Sequence, residues 1–503
     1  MVPIRPTNNM PSRRQFLRSA IGAASLATRA AAAKRRPNLL LIIADEWRAQ
    51  ATSWNQDPNV ATPALDRFAS QSVSFDNAVS NLPVCCPARA SIMTGQYPLT
   101  HGVFINDVEL KPDGPTLAET FQKAGFQTGY IGKWHLYGSP DGNYGRRLAP
   151  VPREKRLGFE YWKACECTHD YNHSLYYDGD NPHPKYWPGY DAFAQTDDAI
   201  AYLESAVKGP DPFLLALSLG PPHFPYETAP VRFQAQYRDR DIRLRPNVPE
   251  ARRAEAASQL RGYYAHMAAL DTCLARLFGT LERLRIAEDT IVVFLSDHGD
   301  MMLSQGLTTK LYPWDESVRV PLLIRYPRGL GRKGRRLDTP FNMPDLMPTL
   351  LSLAGLAVPE SVEGTNRLHL DSAADASLIL LPAPITEARR YGFAAYRGLR
   401  TRQHTYVRSI HGPWLLYDNG KDPFQMRNRI NAPESRDLVR EFDRKLDAML
   451  RERHDEFLPA AVYLQRAGLT HYKEPNVPVG HCISPWGDWE STDQPSTDRG
   501  TPT

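Results

Sequence analysis

Two adjacent cysteines stand directly before Pro87-Ala88-Arg89 in the stretch NLPVCCPARASIMTGQYPLTHG, residues 81–102. Pro87 suits the first turn of a helix, where its missing N–H costs nothing, and this puts Cys85 at or just before the helix start. Unpaired backbone N–H groups and the helix dipole favour an anion there. A nucleophile at Cys85 would therefore face a negatively charged substrate, with the Arg89 guanidinium one turn on to hold the activated group. Elsewhere the chain carries Asp45-Glu46, Lys133 and His135 in GKWH, His223 in GPPHFPY, Asp297-His298 in SDHGD and Lys310 in TTKLYPWDE. Taken singly, each has an ordinary role: an Asp after a strand caps the next helix, a histidine is satisfied in the core, a lysine is solvated. Together they make a polar, charged site with two acidic ends, the arrangement that holds a hard divalent cation through carboxylate oxygens.

The elements that must bring these residues together are legible as apolar runs. NLLLIIAD (residues 38–45), TGYIG (128–132), FLLALSL (213–219), TIVVFLS (290–296) and VPLLIRYP (320–327) read as buried strands. PALDRFASQS, TLAETFQKAG, DAFAQTDDAIAYLESAV and the long stretch opening AEAASQLRGYY have helical spacing. Strands alternating with helices predict a doubly wound α/β sheet, whose ligands bind outside the carboxyl ends of the strands. Asp45, Lys133, His223 and Asp297 all follow such ends. The pattern changes at the Pro- and Ala-rich residues 373–384; then AAYRGLRTRQHTYVRSIHGPWLLYDN reads as antiparallel hairpins and ESRDLVREFDRKLDAMLRERHDEF as one amphipathic helix. This assigns a catalytic domain to residues 37–385, a smaller α+β subdomain to 386–483 and a disordered polar tail to 484–503.

At 503 residues, with 42% hydrophobic and 23% charged side chains, the composition is that of a soluble globular protein of two domains. The net charge is +4, but Arg5, Arg13, Arg14, Arg18 and Arg29 in the acid-free leader 1–33 account for more than all of it. No basic domain follows, which argues against a nucleic-acid partner. The leader pairs Arg13-Arg14 with Phe16-Leu17, a short Ala-rich stretch and a small-residue cleavage possibility at Ala31–Ala33. It resembles a twin-arginine export signal and predicts a periplasmic or secreted protein, with no stable membrane insertion, since no later apolar run is long enough. Six cysteines, Cys85, Cys86, Cys165, Cys167, Cys273 and Cys482, are no disulfide scaffold. Cys165-Glu166-Cys167-Thr168-His169 lacks a second ligand pair at zinc-site spacing and reads as packed or disulfide-bonded thiols. The aromatic-rich residues 165–190 are long enough for a substrate-binding wall that stacks on a sugar or aryl group, or for a loop packed on the scaffold. His101 and Asn106 are further candidates for the pocket lining.

The pattern C-x-P-x-R-x-x-x-x-T-G, met by Cys85, Pro87, Arg89, Thr94 and Gly95, resembles the signature of the type I, formylglycine-dependent sulfatases of the alkaline-phosphatase-like superfamily. The order of LLLIIADEWR, GKWH, PPHFPY, SDHGD and KLYPWDESVRVPLLIRYP resembles that family too, and WLLYDNGKDPFQMRN resembles its C-terminal segment. The fold so implied is a large mixed, mostly parallel sheet flanked by helices, with a smaller C-terminal α+β domain. The resemblance implies that a formylglycine-generating enzyme oxidises Cys85 to formylglycine, export after folding leaving time for this in the cytoplasm, while Cys86 only fills the variable position. The hydrated aldehyde would attack sulfur beside Arg89. His223 and Lys310 would steady the sulfate and protonate the leaving oxygen, and His135, supported by Lys133, would deprotonate the second hydroxyl so that sulfate is eliminated. Ca²⁺ or Mg²⁺ would be held by Asp45, Asp297, His298 and a formylglycine oxygen. Glu46 replaces the family's commonest second Asp and is one methylene longer, so it ligates differently or stands behind the ligands. The implied substrate is a small-molecule or glycan sulfate ester, a carbohydrate sulfate first and an aryl sulfate second. Likeness to relatives with Asp-Gln at this point keeps a phosphonate monoester or phosphodiester hydrolase open, and a non-catalytic binding protein with an unmodified Cys85 is the third reading.

Overall fold

A computed structural model describes residues 36–139, 145–368 and 375–473, the side chains of 386 and 387 excepted. The leader 1–33, the tail 484–503 and Cys482 lie outside the described residues. The strands are β1 (Asn38–Asp45), β2 (Val73–Phe75), β3 (Ala78–Val79), β4 (Gln127–Lys133), β5 (Tyr161–Cys165), β6 (Leu175–Asp178), β7 (Lys185–Tyr186) and β8 (Phe213–Pro222). They continue with β9 (Thr290–Ser296), β10 (Leu322–Arg325), β11 (Arg335–Leu337), β12 (Phe341–Asn342), β13 (Ala376–Leu381), β14 (Tyr396–Thr401), β15 (His404–Ser409) and β16 (Gly412–Asp418). Ten of them form one sheet in the order β11-β2-β10-β9-β1-β8-β4-β5-β6-β7. The middle five, β9-β1-β8-β4-β5, are parallel, so their carboxyl ends share one edge. Antiparallel pairing of β10 with β9 and of β6 with β5 makes the sheet mixed.

The apolar runs are continuous because both faces of the central strands are buried. Successive side chains alternate between two cores. Leu40, Ile42, Leu215, Leu217, Val292 and Phe294 pack with the helices Asp191–Ala206 and Arg253–Arg283. Leu39, Leu41, Ile43, Leu214, Ala216 and Val293 pack with the helices Cys85–Thr94 and Leu346–Ala354. That second core runs on without a break into Leu378, Tyr396, Val407 and Phe442. These belong to an antiparallel sheet, β13-β14-β15-β16, and to the helix Arg436–Glu452, which lays Phe442, Leu446 and Leu450 on it. The first strand of this sheet, β13, precedes the boundary expected at residue 386. Short strands β2, β6, β7 and β11 carry no run long enough to be read from sequence.

Candidate active site

Cys85 is the first residue of its helix; Val84 before it is extended and offers no side-chain cap. The exposed N–H of Cys86 is met instead by Asn106 Oδ1 at 3.1 Å. Gly95 closes the helix at φ 68°, where a Cβ would lie 2.8 Å from Val362, so both conformation and space require glycine. Cys85 is fully buried among polar groups. Its Sγ lies 3.2 Å from His298 Nε2, 3.5 Å from Lys310 Nζ, 3.7 Å from Asp45 Oδ1 and 3.8 Å from Lys133 Nζ. Burial alone would raise this thiol, but Lys133, Lys310 and His298 hold it well below the usual range. Cys86 is pushed up to about 11 by burial. The two cysteines are neighbours in sequence and opposites in chemistry.

The strand ends supply the acids. Arg89 donates to Asp297 Oδ2 at 3.0 Å and to Asp45 Oδ2 at 3.2 Å, and Lys133 Nζ reaches Asp45 Oδ2 at 2.6 Å. Both Oδ2 atoms are thus occupied, while both Oδ1 atoms turn to His298 Nε2, at 3.5 and 3.7 Å. The Nδ1 of His298 sits 3.0 Å from the Gly299 carbonyl; a proton there leaves Nε2 as an acceptor. Asp45, Cys85, Asp297 and His298 each offer one ligand atom within 4.8 Å of the others, all buried. Two carboxylate oxygens, an imidazole nitrogen and the atom on Cys85 fit a divalent cation.

Glu46 falls beside this group. It leaves β1 in the left-handed region, φ 66°, with its N–H on Asp297 Oδ1 and its carbonyl on the Tyr263 hydroxyl. Its carboxylate meets His223 Nε2 at 3.0 Å and Lys310 Nζ at 3.5 Å. Burial raises Glu46 well above the carboxylate range. His223 is depressed to about 3 by burial and by Lys310, and its Nδ1 lies 2.9 Å from the Phe224 carbonyl. Nε2 of a neutral His223 is therefore the acceptor for Lys310 Nζ, 2.6 Å away.

His135 follows β4 at φ 58° and is buried. Its Nε2 faces Asp107 Oδ1 at 3.4 Å. Burial opposes charge on this ring, but Cys167 and Cys86 raise it well above the usual range. The expected cluster of Cys85, Arg89, Lys133, His223, Lys310, Asp45, Asp297 and His298 is brought together, with His135 beside it and Glu46 on its His223 flank. Four further residues join the cluster: Ser218, which accepts from Arg89 at 2.6 Å, and Asp107, Cys167 and His169, of which the sequence marks only Cys167 and His169, as packed thiols or part of a substrate wall. The His169 ring stacks on His223 at 4.1 Å, with Nε2 3.4 Å from Lys133 Nζ. Its segment reads as structural thiols, and Cys165 and Cys167 are packed, with neither in a disulfide among the described residues. His101 bonds Ser91 within its own helix-loop unit.

A buried thiol with two lysines and an acid-histidine group around it thus stands at the first cysteine of the C-x-P-x-R pattern. The sulfatase family model matches residues 37–356, well over half of the chain, and a model of the N-sulphoglucosamine sulphohydrolase C-terminal region matches 304–452. The chain belongs to the sulfatase family. An ulvan-active sulfatase of Formosa agariphila is 43% identical over 464 residues, 91% of this chain and 89% of that one. An endo-4-O-sulfatase of Bacteroides thetaiotaomicron is 29% identical, covering 86% and 95%. A solved structure from Bacteroides thetaiotaomicron, described with that organism's metabolism of multiple glycosaminoglycans, superposes with a TM-score of 0.76 at 26% identity over 88% of this chain and 100% of that one. This sulfatase, a sulfuric ester hydrolase, has the alkaline-phosphatase-like fold that the motif order implies. No helix among its described residues is long and apolar enough to cross a membrane.

Proposed function

We propose that this sulfatase hydrolyses the sulfate ester of a carbohydrate, using a formylglycine made from Cys85 and a Ca²⁺ or Mg²⁺ ion. The observation that carries this reading is the convergence of Lys133, Lys310, His298 and Asp45 within 3.8 Å of Cys85 Sγ. A formylglycine hydrate would supply an oxygen nucleophile where the precursor thiol stands, and Asp45, Asp297 and His298 would hold a divalent cation, which would supply positive charge there. Lys133 and Lys310, two buried ammonium groups at 3.8 and 3.5 Å from Sγ, bind the sulfate oxygens and neutralise them in a dry site. Arg89 locks the Oδ2 atoms of Asp45 and Asp297, so the carboxylates keep their aim. Lys310 donates to His223 Nε2, and this pair passes a proton to the departing alcohol oxygen. His135, whose Nε2 faces Asp107 Oδ1, takes a proton from the Cys85-derived group. Glu46 serves the His223–Lys310 pair or joins Asp45 at the cation.

The carbohydrate reading is supported by the ulvan-active and endo-4-O-sulfatase relatives. The twin arginine at Arg13-Arg14 supports export, and maturation then calls for a formylglycine-generating enzyme before it. Sulfate release from sulfated oligosaccharides, compared with turnover of aryl sulfate and aryl phosphonate esters, tests the reading. A strong preference for the sulfated sugar is expected; a strong preference for the phosphonate contradicts it.

A further inference from the structure

The proton acceptor has support that the sulfatase signature does not contain. Asp107 and His135 face each other, and both are non-glycine residues in the left-handed region, φ 60° and 58°, a conformation kept only where surroundings enforce it. The enforcement is visible. Ser139 N–H donates to the Asp107 carbonyl at 2.7 Å, Leu110 N–H to the Leu136 carbonyl at 3.0 Å, and Asp107 N–H to Cys86 Sγ at 3.2 Å. The buried Glu166 carboxylate collects the N–H groups of Leu136, Tyr137 and Gly138 at 3.1, 2.9 and 2.7 Å. Gly138 lies so close to residues 108 and 109 that a Cβ would sit 2.2 Å from Glu109 N. The backbone on either side of the pair is therefore fixed to the start of the Cys85 helix.

The Asp107 carboxylate is itself clamped. Arg147 donates from Nε to Oδ1 at 2.9 Å and from Nη2 to Oδ2 at 2.7 Å, a two-pronged geometry that fixes the plane of the carboxylate as well as its charge. With Oδ1 aimed at His135 Nε2, the ring has one favoured orientation and one favoured tautomer. We propose that Asp107, held by Arg147, is a positioning residue for the proton transfer of this sulfatase: it takes the Nε2–H of His135 and leaves the Nδ1 lone pair to accept the proton. This rests on His135 being the acceptor in the second half of the reaction. In that step the remaining hydroxyl of the Cys85-derived group gives its proton to His135, its O–H pair closes the carbonyl, and the C–O bond to sulfate breaks.

The test compares Asp107→Asn, Arg147→Lys and His135→Ala in the full chain. Alcohol release from an aryl sulfate is followed on rapid mixing, and intact mass reads sulfo groups left on the protein. Asp107→Asn should release one equivalent of alcohol promptly, then turn over about 100-fold more slowly, with KM not raised and the protein carrying the mass of one sulfo group. His135→Ala should do the same, and Arg147→Lys should fall between. If Asp107→Asn does not fold, Arg147→Lys, which keeps a cation near Asp107 but loses the fork, reads the same split. The proposal is overturned if His135→Ala retains the sulfo group while Asp107→Asn turns over normally or loses the alcohol burst as well. If His135→Ala itself retains none, the reading of His135 fails and the proposal falls with it.

Discussion

At the residue scale the chemistry rests on groups whose ordinary proton affinities are reversed by their neighbours. Cys85 is held low by cations and Cys86 pushed high by burial, although one peptide bond separates them. The sequence pattern singles out Cys85, Arg89, Lys133, His223 and Lys310, because each lies in a motif whose order is recognisable. It leaves Asp107 invisible and reads Cys167 and His169 as packed thiols or part of a wall, since nothing local distinguishes a thiol packed in a core from one packed against a histidine of the site. Glu46 shows the same limit from the other side: its place next to Asp45 suggests a ligand, while its extra methylene and left-handed backbone carry the carboxylate to His223 and Lys310. Cys167 supplies a test. Burial would lower His135, and Cys167 is foremost among the groups that raise it. His135 must be unprotonated to accept, so the acidic limb of kcat marks its deprotonation. Cys167→Ala should move that limb to lower pH by about one unit. A pH–rate profile checks this, and an unmoved limb shows that Cys167 does not set His135.

At the element scale, the strands each place one or two of the candidate site residues because their carboxyl ends share an edge. β1 ends on Asp45, β4 delivers Lys133 and His135, β8 leads to His223, and β9 to Asp297 and His298. Apolar, β-branched composition makes these strands readable, whereas the antiparallel placement of β10 depends on pairing that periodicity does not encode. Lys310 has no strand beneath it. It sits between Thr309 at φ 59° and Leu311 at φ 82°, in a loop buttressed by the second sheet. Tyr396 donates to the Leu311 carbonyl at 3.1 Å, and Arg400 of β14 grips Asp315 at 2.9 and 3.0 Å, both side chains buried. Burial alone would raise Asp315, yet Arg400 and Arg319 bring it to about 2. Arg400→Met leaves that carboxylate with one cation fewer in a dry site, and should cost about 3–5 kcal/mol in a urea melt. Loosening of the Lys310 loop should lower kcat as well. A loss of stability with kcat unchanged would show that the second sheet does not support catalysis.

At the scale of the whole molecule, two helical layers enclose the large sheet, and the second sheet shares one of its cores, so the smaller unit is a continuation of the catalytic body. The change of pattern near residue 384 shows that a second architecture begins; it does not show that β13 and a common apolar core join the two, because such joining is a property of long-range packing. Bringing Asp45 and Asp297 together in a dry interior raises Asp297, through burial and then through Asp45, a cost that a bound cation would offset. Chelation should therefore lower Tm as well as activity, and restoring Ca²⁺ at a hundredfold excess over Kd should return roughly 2–3 kcal/mol of apparent stability. An unchanged Tm after metal analysis confirms removal would contradict a structural share for the ion. The central claim, that this sulfatase acts through an oxidised Cys85, is tested most directly by the mass of the peptide that holds Cys85, taken from protein whose sulfate release has just been measured. The account predicts a peptide about 18 Da lighter than the unmodified thiol; fully active protein whose Cys85 peptide has the unmodified mass would contradict it.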